Sequence, residues 1–126
     1  ANDNIMIIAM IETEEGTAAA DEIAQVDGVD LVFVASSDLS SFSGRRQGDP
    51  VYENLVTRIK TETTNAGKYV GGPSAWMNTR DGYQFFQGPG TSALIRAGVR
   101  VTLEESDPCR FLPSGTAPVQ GEDPCP

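Results

Sequence analysis

Seven apolar residues in unbroken succession, Ile5 to Ile11 (IMIIAMI), lie between Asp3-Asn4 and Glu12-Thr13-Glu14-Glu15-Gly16. A run of that length without period-two alternation reads as a strand covered on both faces, the kind found inside parallel sheets. Leu31 to Ala35 (LVFVA) is a second run of this type. Between them, Thr17 to Gln25 reads as a short helix with Ala18, Ala19, Ile23 and Ala24 inward and Asp21 and Glu22 wet, ending before Asp27-Gly28. Strand, helix and strand make a βαβ unit, which implies parallel pairing through a right-handed crossover.

The same alternation continues. Ser36 to Ser40 reads as the polar loop leaving the second strand, and Ser41 to Asp49 as more loop. Pro50 is suited to the first turn of a helix that carries Val51, Leu55, Val56 and Ile59 and stops at Asn65-Ala66-Gly67. Lys68 to Gly71 is a third strand. The segment from Gly72 to Gly90 reads as a loop, in which Trp76, Tyr83, Phe85 and Phe86 form a lid or plug over apolar surface rather than a ligand cage. Thr91 to Ala97 reads as a helix and Val99 to Leu103 as a fourth strand.

Residues 107–126, with Pro108, Pro113, Pro118, Pro124 and Pro126, form an irregular tail. The expected class is therefore α/β of the (β/α)8 barrel type: residues 1–106 supply about four β/α units, half of a barrel, and 107–126 the tail. A half-barrel has open sheet edges and calls for a second copy or a missing N-terminal half to cover them.

The chain of 126 residues has the length of one domain. Eighteen acidic against nine basic residues give a formal charge of -9, which repels phosphate backbones and argues against a nucleic-acid partner. No apolar run approaches the roughly 20 residues of a membrane span. The first residue is Ala1, without a leader pattern, so the chain reads as a processed product or a piece of something longer. Cys109 and Cys125 fall in the Pro-rich tail. A disulfide between them would imply an oxidising, secreted setting, and free thiols are equally compatible with the spacing.

Chemistry in parallel α/β folds gathers at the carboxyl ends of strands. Glu12 and Asp38 both follow a buried strand there, one helix apart in sequence. Two carboxylates on adjacent parallel strands suit a hard cation, Mg²⁺ or Mn²⁺, completed by water and substrate oxygens. On spacing alone, the same residues also read as helix caps or solvated loop charges. Arg45 and Arg46 read chiefly as solvated loop charges, with a contact to an acidic substrate as the alternative.

Two segments carry a more specific signal. Met10-Ile11-Glu12-Thr13-Glu14-Glu15-Gly16 runs on into Asp21-Glu22-Ile23-Ala24-Gln25-Val26-Asp27-Gly28-Val29-Asp30, and Phe33-Val34-Ala35-Ser36-Ser37-Asp38-Leu39-Ser40 follows. Together they resemble the metal-dependent (class II) pyruvate and hydroxy-oxo-acid aldolases, relatives of the citrate lyase beta subunit. The likeness continues more loosely through Ala66-Gly67-Lys68, Gly71-Gly72 and Ala97-Gly98-Val99.

The resemblance implies that Glu12 and Asp38 ligate the metal. It also implies that the backbone N–H groups of Ser37 and Asp38, with Gly72 and Pro73, hold a small 2-oxo acid. The chemistry it implies is a carbon–carbon lyase acting through a pyruvate enolate, without a lysine Schiff base and in the cytoplasm. Ala35-Ser36 stands where the family carries Gly-Pro, Met10 where many members carry Gln, and the family's His has no counterpart in a chain without histidine. The alternative is a non-catalytic half-barrel that dimerises through its open edges as a binding or structural protein.

Overall fold

The computed structural model describes residues 4–105, which fall into two compact units divided after Gly88. The first unit holds a four-stranded, all-parallel sheet in the order β1-β2-β3-β4, with β1 at Ile8–Ile11, β2 at Leu31–Val34, β3 at Tyr69–Pro73 and β4 at Phe85–Gln87. Helices α1 (Glu14–Ala18) and α2 (Ala20–Gln25) join β1 to β2, and α3 (Ser36–Ser43) and α4 (Pro50–Asn65) join β2 to β3. A single 3-10 turn, Ser74–Trp76, separates β3 from β4. The second unit contributes α5 (Thr91–Glu105). No helix among the described residues is long and apolar enough to cross a membrane.

Period two decides which side chains meet. Ile11, Val32, Val34 and Val70 turn to the face covered by α2 and α4, where they pack with Ala20, Ala24, Tyr52, Val56 and Ile59 into one core. The opposite face carries Met10, Phe33, Gly71 and Phe85. A Cβ on Gly71 would lie 2.8 Å from the Phe33 ring and 3.2 Å from the Phe85 ring, so only glycine lets these two aromatics meet edge to face with centroids 6.3 Å apart.

β2 is buried at all four positions, as its composition predicts. β1 corrects the reading of a strand covered on both faces: only Ile11 is buried, while Ile8 and Met10 are exposed, and Ile5 to Ile7 precede the strand. A continuous apolar run does not distinguish two covered faces from one covered face and one open apolar face.

Four further expectations shift. Helix formation begins at Glu14, where the Thr13 hydroxyl accepts the Gly16 N–H at 3.0 Å, and a break at Ala19 divides the helix in two. The Ser36–Ser40 loop is instead the first half of α3, closed by Gly44 at φ 64. Gly72 and Pro73 belong to β3, not to the loop after it.

The proposed fourth strand, Val99–Leu103, is helical: α5 runs unbroken from Thr91 to Glu105, with the Thr102 hydroxyl bonded to the Gly98 carbonyl. Val99, Val101 and Leu103 alternate, but Ile95, Val99 and Leu103 also repeat at four-residue spacing, and the helix prevails. The true fourth strand is Phe85–Gln87, within the aromatic segment. Trp76 and Tyr83 of that segment do act as a plug: both are buried, edge to face at 5.3 Å. The Pro-rich tail, Cys109 and Cys125 lie outside the described residues.

Candidate metal and substrate site

β1 and β2 end level with one another. Ile11 pairs with Val34, and the Ala35 N–H donates to the Ile11 carbonyl at 3.1 Å. Glu12 and Ala35 are the residues that follow these two paired strand ends. Glu12 is half-buried there.

β2 then passes directly into α3. Ala35 is the cap residue and offers no side-chain acceptor, and the first intrahelical bond runs from Leu39 N–H to Ala35 O at 2.8 Å. The N–H groups of Ser36, Ser37 and Asp38 therefore have no acceptor within the helix and carry the positive end of its dipole. Asp38, exposed in this first turn, has the sign that end favours.

A cavity of about 200 Å³ opens onto this helix end. Ser36, Ser37 and Asp38 form one wall; Met10, Phe33, Ala35 and Pro73 form an apolar one; Gln87, at the end of β4, adds an amide. The structure thus brings Ser37, Asp38 and Pro73 together. Glu12 is not among the lining residues, although Met10, two residues earlier at the end of β1, is. Gly72 is not among them either: its missing side chain points the other way, where a Cβ would lie 2.6 Å from the Trp76 ring.

The available donors suit one type of cation. The described residues contain no cluster of three or more Asp, Glu, Cys or His side chains that could hold a metal ion. The two residues expected to hold a cation, Glu12 and Asp38, would offer two carboxylates and leave the other positions to water and ligand oxygens. That set fits Mg²⁺ or Mn²⁺ and does not fit a closed thiolate or imidazole zinc site.

Behind the cavity, α4 fixes the helix end. The buried Tyr52 hydroxyl donates to the Ser36 carbonyl at 3.1 Å, and burial pushes its pKa up. The next residue, Glu53, accepts both guanidinium nitrogens of Arg80 at 2.6 and 2.9 Å and the Gly48 N–H at 2.8 Å; the Arg80 hydrogen bonds hold its carboxyl below the usual range.

Arg80 lies 4.3 Å above the Trp76 ring, whose indole N–H donates to the Gln47 side chain at 3.1 Å. Burial raises the Tyr83 pKa to about 12. Arg45 pairs with Asp49 at 3.7 Å, and neither it nor Arg46 lines the cavity. Sequence reasoning assigned no site role to Tyr52, Arg80 or Gln87. An aromatic at the start of α4 was the available signal for Tyr52, whereas Gln87 required the β3–β4 register.

The sequence profile of the HpcH/HpaI aldolase/citrate lyase family matches residues 1–92. A hydroxypyruvate/pyruvate aldolase of Rhizorhabdus wittichii is 29% identical over 115 residues, 84% of this chain and 46% of that protein. The crystal structure of an HpcH/HpaI aldolase/citrate lyase family protein from Burkholderia cenocepacia J2315 matches with a TM-score of 0.69 at 27% identity, over 82% of this chain and 44% of that one. The CitE protein of Mycobacterium tuberculosis, solved with magnesium, acetoacetate and coenzyme A, shares the fold, with a TM-score of 0.54 at 16% identity over 82% of this chain and 52% of its own. The chain spans less than half the length of the curated relatives it matches.

Proposed function

This chain belongs to the HpcH/HpaI aldolase/citrate lyase family, and from that premise we propose that it carries the metal- and carboxylate-binding part of a divalent-metal-dependent carbon–carbon lyase for small 2-oxo acids. The observation that carries this reading is the free N-terminus of α3, with Ser37 and Asp38, facing a cavity at the strand ends.

In this reading the N–H groups of Ser37 and Asp38 bind the substrate carboxylate, as helix N-termini bind anions generally. Glu12 and Asp38 hold Mg²⁺ or Mn²⁺, and the end of β3 bounds the substrate through Pro73, with Gly72 contributing only as the residue that carries the strand to it. The cation supplies Lewis-acid stabilisation of the negative charge that develops on the 2-oxo oxygen when the carbon–carbon bond breaks to give a pyruvate enolate. Met10, Phe33 and Pro73 give that side an apolar wall, and Gln87 offers an amide to a polar group on the substrate.

A lysine Schiff base has no part in the reading. Lys68 donates to the Val29 carbonyl at 2.7 Å, and Lys60 is on α4, away from the cavity.

We also propose that residues 1–106 supply half of a (β/α)8 barrel, with 107–126 as a tail. The open face of β1 and β2 and the outer edges of β1 and β4 would then be completed by a second copy or by an N-terminal half. Exposed Met10, and Ile5 to Ile7 ahead of β1, support this. A cytoplasmic location follows from the family resemblance.

The test is isothermal titration of Mg²⁺ and Mn²⁺ into the purified chain, with and without oxalate as a mimic of the enolate. Metal binding that tightens with oxalate is the expected result. Failure of the chain to bind either metal in both conditions would overturn the assignment and favour a non-catalytic binding or structural role.

A further inference from the structure

We propose that Tyr52 is a positioning residue for the substrate carboxylate, acting through α3 without touching the ligand; the proposal rests on the reading of the α3 N-terminus as the carboxylate site. Tyr52 is in the first turn of α4, fully buried, and its hydroxyl reaches across to the Ser36 carbonyl at 3.1 Å. Ser36 is the first residue of α3, next to Ser37 and Asp38, and all three line the cavity.

The helix start is anchored on the sheet side by the Ala35 N–H, bonded to the Ile11 carbonyl at 3.1 Å, and by buried Leu39, and on the α4 side by the Tyr52 hydroxyl. Its cap residue, Ala35, has no side-chain acceptor for the free N–H groups, and this helix end lacks the usual Ser, Thr, Asp or Asn cap. A hydrogen bond accepted by a first-turn carbonyl fixes the peptide planes around it. Here that bond aligns the adjacent N–H groups on a carboxylate before it arrives, and such preorganisation strengthens binding by reducing its ordering cost.

Tyr52 is itself held in place. Asp49 caps α4 by accepting the Val51 N–H at 2.8 Å, and Glu53, the residue after Tyr52, is clamped in the bidentate pair with Arg80. The α4 first turn is therefore a fixed post, and the hydroxyl is its link to α3. The segment after β3 that carries Arg80 reaches the cavity by this route.

Tyr52→Phe keeps the ring that fills the buried slot and removes only the hydroxyl. Oxalate affinity at saturating Mg²⁺ is expected to fall about three- to tenfold, the worth of one neutral hydrogen bond. Thr63→Val is the control. It deletes a buried hydroxyl bond that stays within α4 and does not reach α3, Thr63 Oγ1 to Ile59 O at 2.7 Å, three helical turns from Tyr52. The control should lose stability without losing oxalate affinity.

Oxalate affinity in Tyr52→Phe within twofold of the parent, or an equal loss in Thr63→Val, would overturn the positioning role and leave the site reading standing. A parent chain that binds Mg²⁺ but not oxalate would overturn the site reading and this role with it.

Discussion

Gly72 should fail as alanine through the aromatic plug behind the sheet, with the cavity in front of it left intact. A Cβ there would lie 2.6 Å from Cε3 and 3.1 Å from Cζ3 of Trp76, and 3.4 Å from Cδ1 of Tyr83. Carbon atoms rest at about 3.5–4.0 Å, so the indole would have to retreat by about 1 Å. Trp76 is 1% exposed and restrained on three sides, by Gln47 on its N–H, Arg80 over its face and the Tyr83 edge.

Overpacking of this kind costs about 1–3 kcal/mol. The upper half of that range is expected because one hydrogen bond of about 1 kcal/mol and one cation–π contact of about 0.5–1 kcal/mol are strained together. Trp76 is the chain's single tryptophan, so its fluorescence reports the unfolding directly. In urea, Gly72→Ala should lower the midpoint by about 1–2 M with an unchanged slope. A loss below about 0.5 kcal/mol, inside the usual range for neutral surface changes, would refute the steric argument.

Glu12→Gln and Asp38→Asn should each abolish Mg²⁺ binding in calorimetry while leaving the urea midpoint nearly unchanged, since neither side chain makes a hydrogen bond or ion pair among the described residues; unchanged affinity in either variant would remove that residue from the site. Glu53 titrates below its ordinary 4.5 because Arg80 holds it ionised, so its stabilising effect is full above that value and disappears as pH falls through the lowered one. Urea midpoints measured on acidification should fall more steeply for the parent than for Glu53→Gln, and parallel curves would contradict the clamp. Tyr83 works in the opposite direction: its pKa is raised from 10.0 to about 12, so stability is retained below 10.0 and lost as pH rises through the higher value. Its buried hydroxyl has no partner among the described residues, so Tyr83→Phe should be neutral or stabilising near neutral pH and flatten the alkaline loss; a destabilisation above about 1 kcal/mol would show that the hydroxyl is bonded.

What could be read from sequence was whatever short-range chemistry enforces. β2 and α4 were legible because LVFVA is apolar throughout and because Asp49-Pro50 and Gly67 punctuate a helix at both ends. α3 was not, because Ser36-Ser37-Asp38-Leu39-Ser40 is rich in side chains that compete for backbone hydrogen bonds and favour turns. It is helical through tertiary packing. Leu39 is fully buried in the core, and Tyr52, sixteen residues on, holds the Ser36 carbonyl.

That miss bears directly on the site. Asp38 could be singled out by its place after a strand, but a loop gives its N–H no fixed direction, whereas the first turn of a helix does. Met10, Phe33, Pro73 and Gln87 are brought to one cavity by the parallel registers Met10↔Phe33 and Pro73↔Gln87, which join residues 23 and 14 positions apart. No local pattern carries such a register. Residue type could nominate the two carboxylates, but only the sheet could identify the surfaces that would shape their ligand. If the proposed reading holds, an apolar wall led by Met10 against a single amide from Gln87 would make discrimination at the ligand's non-carboxylate end depend chiefly on shape, with charge recognition left to the α3 N-terminus.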